Sequence, residues 1–255
     1  MLLAIDIGNT NIKCGIYDGA SLLAHWRVAT DRLRLADEYA VMIRNLLSLR
    51  GFDFQAIQGC VVSSVVPPLT GQFRELCRTY LEVEPLFIDH QTPTGLRYHV
   101  DNPAELGTDR IANSLAAFRR YGGPVIVISF GTATTFDVVD DSGAYIGGAI
   151  APGLGISADA LFRLAARLYQ VEMVRPPSVI GTNTMHHMQS GVIYGYAGLV
   201  EGIVSRMHRE IGIACTVVAT GGNAETIASE TSVISAVLPY LTLEGLRLIY
   251  EQQVA

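Results

Sequence analysis

The segment DIGNTNIK at residues 6–13 has the residue types of a phosphate-binding turn. Asp6 ends a short apolar run, Gly8 allows a ligand close to the backbone, and residues 9–11 supply polar donors to an anion. Lys13 would lie on the same strand face as the last of them and add positive charge. Because a carboxylate and a polyphosphate are both hard oxygen ligands, Asp6 is predicted to bind Mg²⁺.

A second copy of this pattern, VISFGTATTFDVVDD, occupies residues 127–141. Superposing the two copies matches Gly8 with Gly131 and Asp6 with Ser129. A single Gly-Asn turn could belong to an ordinary β-hairpin. Its recurrence instead favours phosphate held by two related lobes.

The segment DNPAELGTDR at residues 101–110 places Asp109 and Arg110 near the opening turn of an amphipathic helix. Alone, this pair could be a solvated ion pair. The apolar residues that follow would face the core, so that Asp109 and Arg110 would face a cleft. There Arg110 could bind a carboxylate with two hydrogen bonds, and Asp109 could accept a proton from a substrate hydroxyl.

The segment VVATGGNAETI at residues 217–227 is predicted to be a strand, a double-glycine turn and a helix start. Its backbone could approach a flat ring such as adenosine, but the same pattern is common in strand-to-helix connections. Both interpretations remain open.

The segment IGTNTMHHMQSG at residues 180–191 contains hydroxyls and two adjacent histidines. Thr182 and Thr184 lie at a predicted helix start, where they could cap the helix or reach a substrate. His186 and His187 would face different directions on that helix, so a metal site is not predicted.

Short runs rich in Val and Ile predict the strands, and apolar residues at spacings of three and four predict the helices. The predicted strands are 2–7, 12–17, 59–66, 125–130, 135–139 and 215–219. The predicted helices are 36–50, 68–80, 104–120, 155–169, 186–212 and 243–253. Two rounds of this pattern predict an α/β protein with one lobe at residues 1–118 and another at 119–255.

Composition narrows the classes of partner. The chain has 255 residues, 49% hydrophobic side chains and a net charge of −6, which argues against nucleic-acid binding. Its four scattered cysteines predict packed thiols, with neither a zinc site nor a disulfide scaffold. We expect no signal peptide and no membrane span, and therefore a cytoplasmic protein.

The motifs DIGNTN, GTDR, FGTATTFD, NTxxxxxSG and ATGGNA occur in this order. Together they resemble the type III pantothenate kinase family, part of the acetate and sugar kinase, Hsp70 and actin superfamily. The resemblance implies the actin-like ATPase fold, with two duplicated ribonuclease-H-like lobes and the active site in the cleft between them. It also implies ATP and pantothenate as ligands, and a homodimer.

The resemblance assigns roles by position. It implies ATP phosphates at Asp6, Ile7, Gly8, Asn9, Thr10, Asn11, Ile12 and Lys13, with Mg²⁺ on Asp6 and a further ATP contact at Thr132. It implies pantothenate at Gly107, Thr108, Asp109, Arg110 and Thr184, with Asp109 as general base. The family also uses K⁺ or NH₄⁺, usually beside an aspartate where this chain has Ser129, and a neutral hydroxyl is a poorer cation ligand.

The leading hypothesis is ATP-dependent phosphorylation of pantothenate to 4'-phosphopantothenate, the first step of coenzyme A biosynthesis. One alternative, motivated by Ser129, is a catalytically impaired family member that binds nucleotide or a partner in a regulatory role. Another is a kinase for a different acid or sugar, which rests on analogy within the superfamily.

Overall fold

A computed structural model of the chain describes residues 1–164 and 168–254. Its contacts group the chain into two compact units. Unit 1 comprises Met1–Leu96, Asp101–Ala116 and the segment from Leu241 onward. Unit 2 comprises Arg97–Val100 and Ala117–Tyr240.

Unit 1 is built on a five-stranded sheet. Its strands are β1 (Leu2–Ile7), β2 (Asn11–Asp18), β3 (Ser21–Ala29), β4 (Gly59–Ser64) and β5 (Leu86–Phe87), in the order β3-β2-β1-β4-β5. The first three form an antiparallel meander, and β4 and β5 run parallel to β1. β1 is buried along nearly its whole length, as expected for a central strand.

Unit 2 repeats this topology. Its strands are β6 (Arg97–Tyr98), β7 (Val125–Phe130), β8 (Ala133–Val139), β9 (Ala144–Pro152), β10 (Thr216–Gly221) and β11 (Ala236–Val237), in the order β11-β10-β7-β8-β9-β6. Strands β7 to β9 form the antiparallel meander, β10 and β11 follow in parallel, and β6 is an added edge strand. The predicted duplication is therefore confirmed at the level of sheet topology.

The helices cover the apolar faces of these sheets. They are α1 (Ala36–Ser48), α2 (Pro67–Leu76), α3 (Thr108–Tyr121), α4 (Leu154–Leu164), α5 (Thr184–Ile211), α6 (Ala224–Ala228) and α7 (Leu241–Val254). At the start of α1, Glu38 Oε2 accepts a hydrogen bond from Leu35 N at 2.9 Å, and Pro67 occupies the first turn of α2. Among the described residues, none of the helices has the length and apolar content needed to cross a membrane.

Most predicted elements are present, with shifted ends. The helix predicted from residue 104 begins at Thr108, because residues 103–105 form a separate 3₁₀ turn. The helix predicted at 155–169 ends at Leu164, and residues 165–167 of that prediction lie outside the described residues. Strands β3 and β9 are not predicted, because apolar residues such as Leu23 and Ile150 occupy exposed positions and blur the alternation, and two glycines interrupt β9.

The predicted lobes differ from the observed units at the C-terminal helix. The division between units falls within α3, near the predicted boundary, but α7 belongs to unit 1 and not to the second lobe. Leu241, Leu246 and Ile249 of α7 are fully buried. A Cβ on Gly245 would collide with the carbonyl oxygen of Ala112 in α3, so the two helices pack backbone to backbone.

The cysteines are packed thiols, as predicted. Cys14, Cys60, Cys77 and Cys215 are all buried, and none of them forms a disulfide. Burial, with Asp6 as a second cause, raises the pKa of the Cys14 thiol to about 12. Such a thiol remains protonated and unreactive at neutral pH.

Candidate active site

Asp6 lies near the end of β1 with its carboxylate almost completely buried, 3% of the residue being exposed. Lys13 lies opposite it on β2, and Lys13 Nζ donates to Asp6 Oδ2 at 3.1 Å. Asp6 Oδ1 is buried and has no hydrogen-bond partner among the described residues. A buried, unpartnered carboxylate oxygen is costly, so this atom fits a ligand position for Mg²⁺.

The predicted phosphate turn is a tight connection between β1 and β2. Gly8 N donates to the carbonyl oxygen of Asn11 at 3.1 Å, and a Cβ on Gly8 would lie 2.9 Å from that oxygen. The side chains of Asn9 and Thr10 are exposed at the tip. Thr30, which follows β3, supports the turn through a hydrogen bond from Thr30 Oγ1 to the carbonyl oxygen of Gly8 at 2.6 Å.

The GTDR segment forms the start of α3. Asp109 Oδ1 accepts a hydrogen bond from Arg110 N at 2.9 Å, so the carboxylate folds back over the first helical turn. A Cβ on Gly107 would lie 2.7 Å from Asp109 Oδ1, so glycine leaves room for this conformation. The partial positive charge of a helix N-terminus stabilises a carboxylate there. Asp109 and Arg110 are both half-buried.

Ser63 connects this helix start to the strand beside Asp6. Asp6 and Ser63 are paired in the parallel register of β1 and β4, so their side chains share a sheet face. Ser63 Oγ and Thr108 Oγ1 lie at hydrogen-bond distance, 2.8 Å. Sequence patterns do not predict a role for Ser63, because the signal at this position is only a pair of serines that ends an apolar strand.

In unit 2, Thr132 lies in the turn between β7 and β8. Gly131 N donates to the carbonyl oxygen of Ala133 at 3.0 Å, which resembles the contact that closes the turn at Gly8. Gly153 N donates to the carbonyl oxygen of Thr132 at 3.1 Å, and a Cβ on Gly153 would collide with that oxygen. Glycine is therefore needed at residue 153, and the Thr132 side chain is exposed.

The double glycine of the ATGGNA segment lies beside the end of β7. Gly222 N donates to the carbonyl oxygen of Phe130 at 3.1 Å. Gly221 has a φ of +99°, and a Cβ there would collide with the Phe130 backbone. This loop and the Thr132 turn therefore both lie at the C-terminal end of β7. A role for the loop in binding adenosine stays a prediction.

Ser129 lies on β7 between Thr135 of β8 and Thr220 of β10. Asp137 is on the same face of β8, and its two oxygens accept hydrogen bonds from Thr135 Oγ1 at 3.1 Å and from the Tyr145 hydroxyl at 2.8 Å. The two residues paired with Ser129, Thr135 and Thr220, thus carry neutral hydroxyls. Within residues 1–164 and 168–254, no cluster of three His, Cys, Asp or Glu side chains could hold a metal.

Thr184 is the first residue of α5 and is exposed. The helix is capped by Asn183, whose Oδ1 accepts from His186 N at 2.9 Å. Of the two roles left open for Thr182 and Thr184, capping is therefore excluded, and contact with a substrate stays a prediction. The ring of His186 lies 3.1 Å from the side-chain nitrogen of Asn183, and the ring of His187 lies 3.1 Å from the carbonyl oxygen of Gly181.

These features define a two-unit α/β protein whose two sheets share one topology, a fold also found in a sugar kinase. Among solved structures, an inorganic polyphosphate/ATP-glucomannokinase from Arthrobacter is 17% identical with a TM-score of 0.51, covering 98% of both chains. The ethanolamine utilization protein EutJ from Carboxydothermus hydrogenoformans is 14% identical with a TM-score of 0.52, covering 97% of this chain and 89% of the other. At these identities the likeness concerns the fold alone.

Sequence comparison gives the family. The family model described as type III pantothenate kinase matches residues 2–206. A type III pantothenate kinase from Roseiflexus strain RS-1 is 73% identical over 251 residues, 98% of each chain. One from Moorella thermoacetica is 53% identical over 252 residues, 99% of each chain. The chain belongs to the type III pantothenate kinase family.

Proposed function

We propose that this kinase transfers the terminal phosphoryl group of ATP to the primary hydroxyl of pantothenate. The product would be 4'-phosphopantothenate, the first intermediate of coenzyme A biosynthesis. Besides family membership, one observation carries the proposal: the Ser63–Thr108 contact holds the start of α3 against the strand that lies beside Asp6. Asp6, the carboxylate proposed to act at the phosphate, and Asp109, the carboxylate proposed to act on the hydroxyl, thus both belong to unit 1.

On the nucleotide side, the turn of residues 8–11 would bind the phosphates with its backbone and exposed polar groups. Asp6 would hold Mg²⁺ through its unpartnered Oδ1, and that ion would neutralise phosphate charge. Lys13 would orient the carboxylate through its contact with Oδ2. In unit 2, Thr132 would make the further ATP contact that the family resemblance implies.

On the acceptor side, Asp109 would accept the proton of the attacking hydroxyl. Its Oδ1 is fixed by the Arg110 backbone N–H, so the carboxylate is already oriented before a substrate arrives. Arg110 would bind the carboxylate of pantothenate, and Gly107 and Thr108 would shape the floor beside it. Thr184 would contribute a hydroxyl from the start of α5.

We further propose a homodimer formed through unit 2. Large apolar side chains are exposed on α4 and on the segments that flank it along the chain, and exposed apolar side chains in such numbers are typical of an interaction surface. They are Ile150, Ile156, Leu161, Leu164, Tyr169, Val174, Val179 and Ile180. Light scattering should give a dimer mass for the wild type and a monomer mass for Leu161→Arg. A monomeric wild type would contradict this assignment.

The decisive assay combines the purified protein with ATP, Mg²⁺ and pantothenate, with and without K⁺ or NH₄⁺. We expect phosphopantothenate, identified by mass spectrometry. Binding of ATP and pantothenate without product under any condition would favour the impaired, regulatory alternative. Product from another hydroxy acid or a sugar in place of pantothenate would favour a different kinase. The monovalent cation requirement and the cytoplasmic location stay predictions.

A further inference from the structure

The loop between β3 and α1 lies against the phosphate turn of unit 1. Arg32 Nη2 donates to Asn9 Oδ1 at 2.9 Å, and both side chains are exposed at the tip of the turn. Thr30 N also donates to the carbonyl oxygen of Thr10 at 3.0 Å. The loop therefore places the Arg32 guanidinium next to the side chain of Asn9 in the phosphate turn.

The backbone on both sides of Arg32 is fixed. The Tyr39 hydroxyl donates to the carbonyl oxygen of Asp31 at 2.8 Å, and Asp31 N lies 3.0 Å from that hydroxyl. Tyr39 is fully buried in α1, so this anchor belongs to the core. Asp31 Oδ1 accepts from Leu33 N at 3.0 Å, which closes the turn around Arg32. Arg32 is therefore held in position by its neighbours.

The charge of Arg32 is available to a ligand. Lys13, the other cation at this turn, already pairs with Asp6. Within the described part of the chain, Arg32 forms no ion pair, and it donates a hydrogen bond to the neutral amide of Asn9. A guanidinium has five N–H donors in a planar fork that matches phosphate oxygens. Four donors remain when one binds Asn9.

We propose that Arg32 is a phosphate-binding residue that contacts the polyphosphate of the nucleotide together with Asn9. This inference rests on the proposed function, because it takes the turn of residues 8–11 as the phosphate site. Arg32 supplies the uncompensated positive charge that Lys13, paired with Asp6, does not. Thr30 positions the turn beneath it.

The test compares Arg32→Gln and Arg32→Lys with Arg50→Gln. Arg50 is exposed just beyond α1, so its variant removes the same charge away from the turn. We expect Arg32→Gln to raise the Kd of Mg-ATP, measured by calorimetry, and its KM by about tenfold, the range of one charge-assisted hydrogen bond. Arg32→Lys should lose less, and Arg50→Gln should match the wild type. The KM of pantothenate should stay within about twofold of the wild type, since pantothenate does not contact this loop in the proposal.

A purely structural role makes a different prediction. If Arg32 acted only by holding Asn9, then Arg32→Gln would have no effect in an Asn9→Ala background. We expect that it still weakens the binding of Mg-ATP and of inorganic tripolyphosphate in that background. Unchanged Kd values in either background would overturn the proposal, as would equal losses for ATP and pantothenate.

The binding measurements also separate this proposal from the proposed function. A protein that binds Mg-ATP through Arg32 but does not phosphorylate pantothenate would contradict the function alone. If both the wild type and Arg32→Gln phosphorylate pantothenate with the same KM for ATP, only the proposed phosphate-binding role of Arg32 would be contradicted. A wild type that binds no nucleotide would contradict both.

Discussion

The side-chain oxygens of Ser63 and Thr108 lie 2.8 Å apart across 45 positions of sequence. Ser63 is fully buried on β4 beside Asp6, and Thr108 is the first residue of α3, next to Asp109. The hydroxyl pair therefore fixes the proposed general base relative to the proposed magnesium carboxylate. Phosphoryl transfer depends mainly on such alignment.

Removing this contact should lower kcat clearly and change the free energy of unfolding only slightly. Ser63→Ala is expected to cost about 1 kcal/mol of unfolding free energy, the usual value of one hydrogen bond. The kcat should fall because the start of α3 is less well positioned. Thr108→Ser keeps the hydroxyl and should stay close to the wild type, whereas Thr108→Val should resemble Ser63→Ala. Steady-state kinetics and urea unfolding would measure both effects, with exposed Ser48→Ala as control. Equal kcat in Ser63→Ala and the wild type would show that the contact has no role in alignment.

Replacing the proposed base should separate chemistry from binding. Asp109→Asn keeps the shape of the side chain but cannot accept the proton, so kcat should fall by roughly 10²- to 10⁴-fold. The Kd of Mg-ATP should remain unchanged. Asp18→Asn changes an exposed carboxylate at the end of β2 and should retain full activity. Retention of the full rate by Asp109→Asn would exclude it as the general base.

The glycine beside the Thr132 turn should not tolerate a side chain. In Gly153→Ala the new Cβ would collide with the carbonyl oxygen of Thr132, so we expect a loss of about 1–3 kcal/mol, as for other overpacked sites. Gly195→Ala is the matched control, because Gly195 is an exposed position of α5 where a Cβ would meet nothing within 4 Å. It should stabilise the helix by about 0.5–1 kcal/mol. Chemical unfolding would measure both, and similar values for the two variants would contradict the packing described at residue 153.

Alkaline pH should destabilise unit 1 through Cys14. Its thiol has a pKa of about 12 in the folded chain, against 9.0 for an ordinary thiol, because burial disfavours the thiolate. Its contribution to stability is therefore complete below pH 9 and is lost as the pH rises toward 12. Between pH 7.5 and 10.5, the free energy of unfolding measured in urea should fall less for Cys14→Ala than for the wild type. An identical pH dependence would assign the loss to other groups.

Much of the candidate site was predictable because its contacts are local. Residues 6–13 form a strand, a tight turn and a second strand, and the Asp6–Lys13 pair follows from the hairpin register. The start of α3 is equally local, since the Asp109 carboxylate binds the next backbone N–H. Recurrence of the hairpin at residues 127–141 predicted the duplicated sheet for the same reason.

Other features could not be predicted from patterns. Strands β3 and β9 have exposed faces, so their apolar periodicity is weak, and only pairing with β2 and β8 makes them strands. At the start of α5, the side-chain oxygen that accepts from His186 N belongs to Asn183 and not to a threonine, because the local backbone path decides which side chain reaches that N–H.

The sequence by itself determined the family, the two recurring hairpins with a glycine turn and the acidic helix start, because each depends on residues adjacent along the chain. Only the tertiary structure decided that α7 packs into unit 1, that Ser63 contacts Thr108 and that Arg32 reaches Asn9. These contacts join segments 23 or more positions apart or return the chain to an earlier sheet. They are selected by the burial of apolar surface and the pairing of polar groups in the folded chain, which no local pattern records.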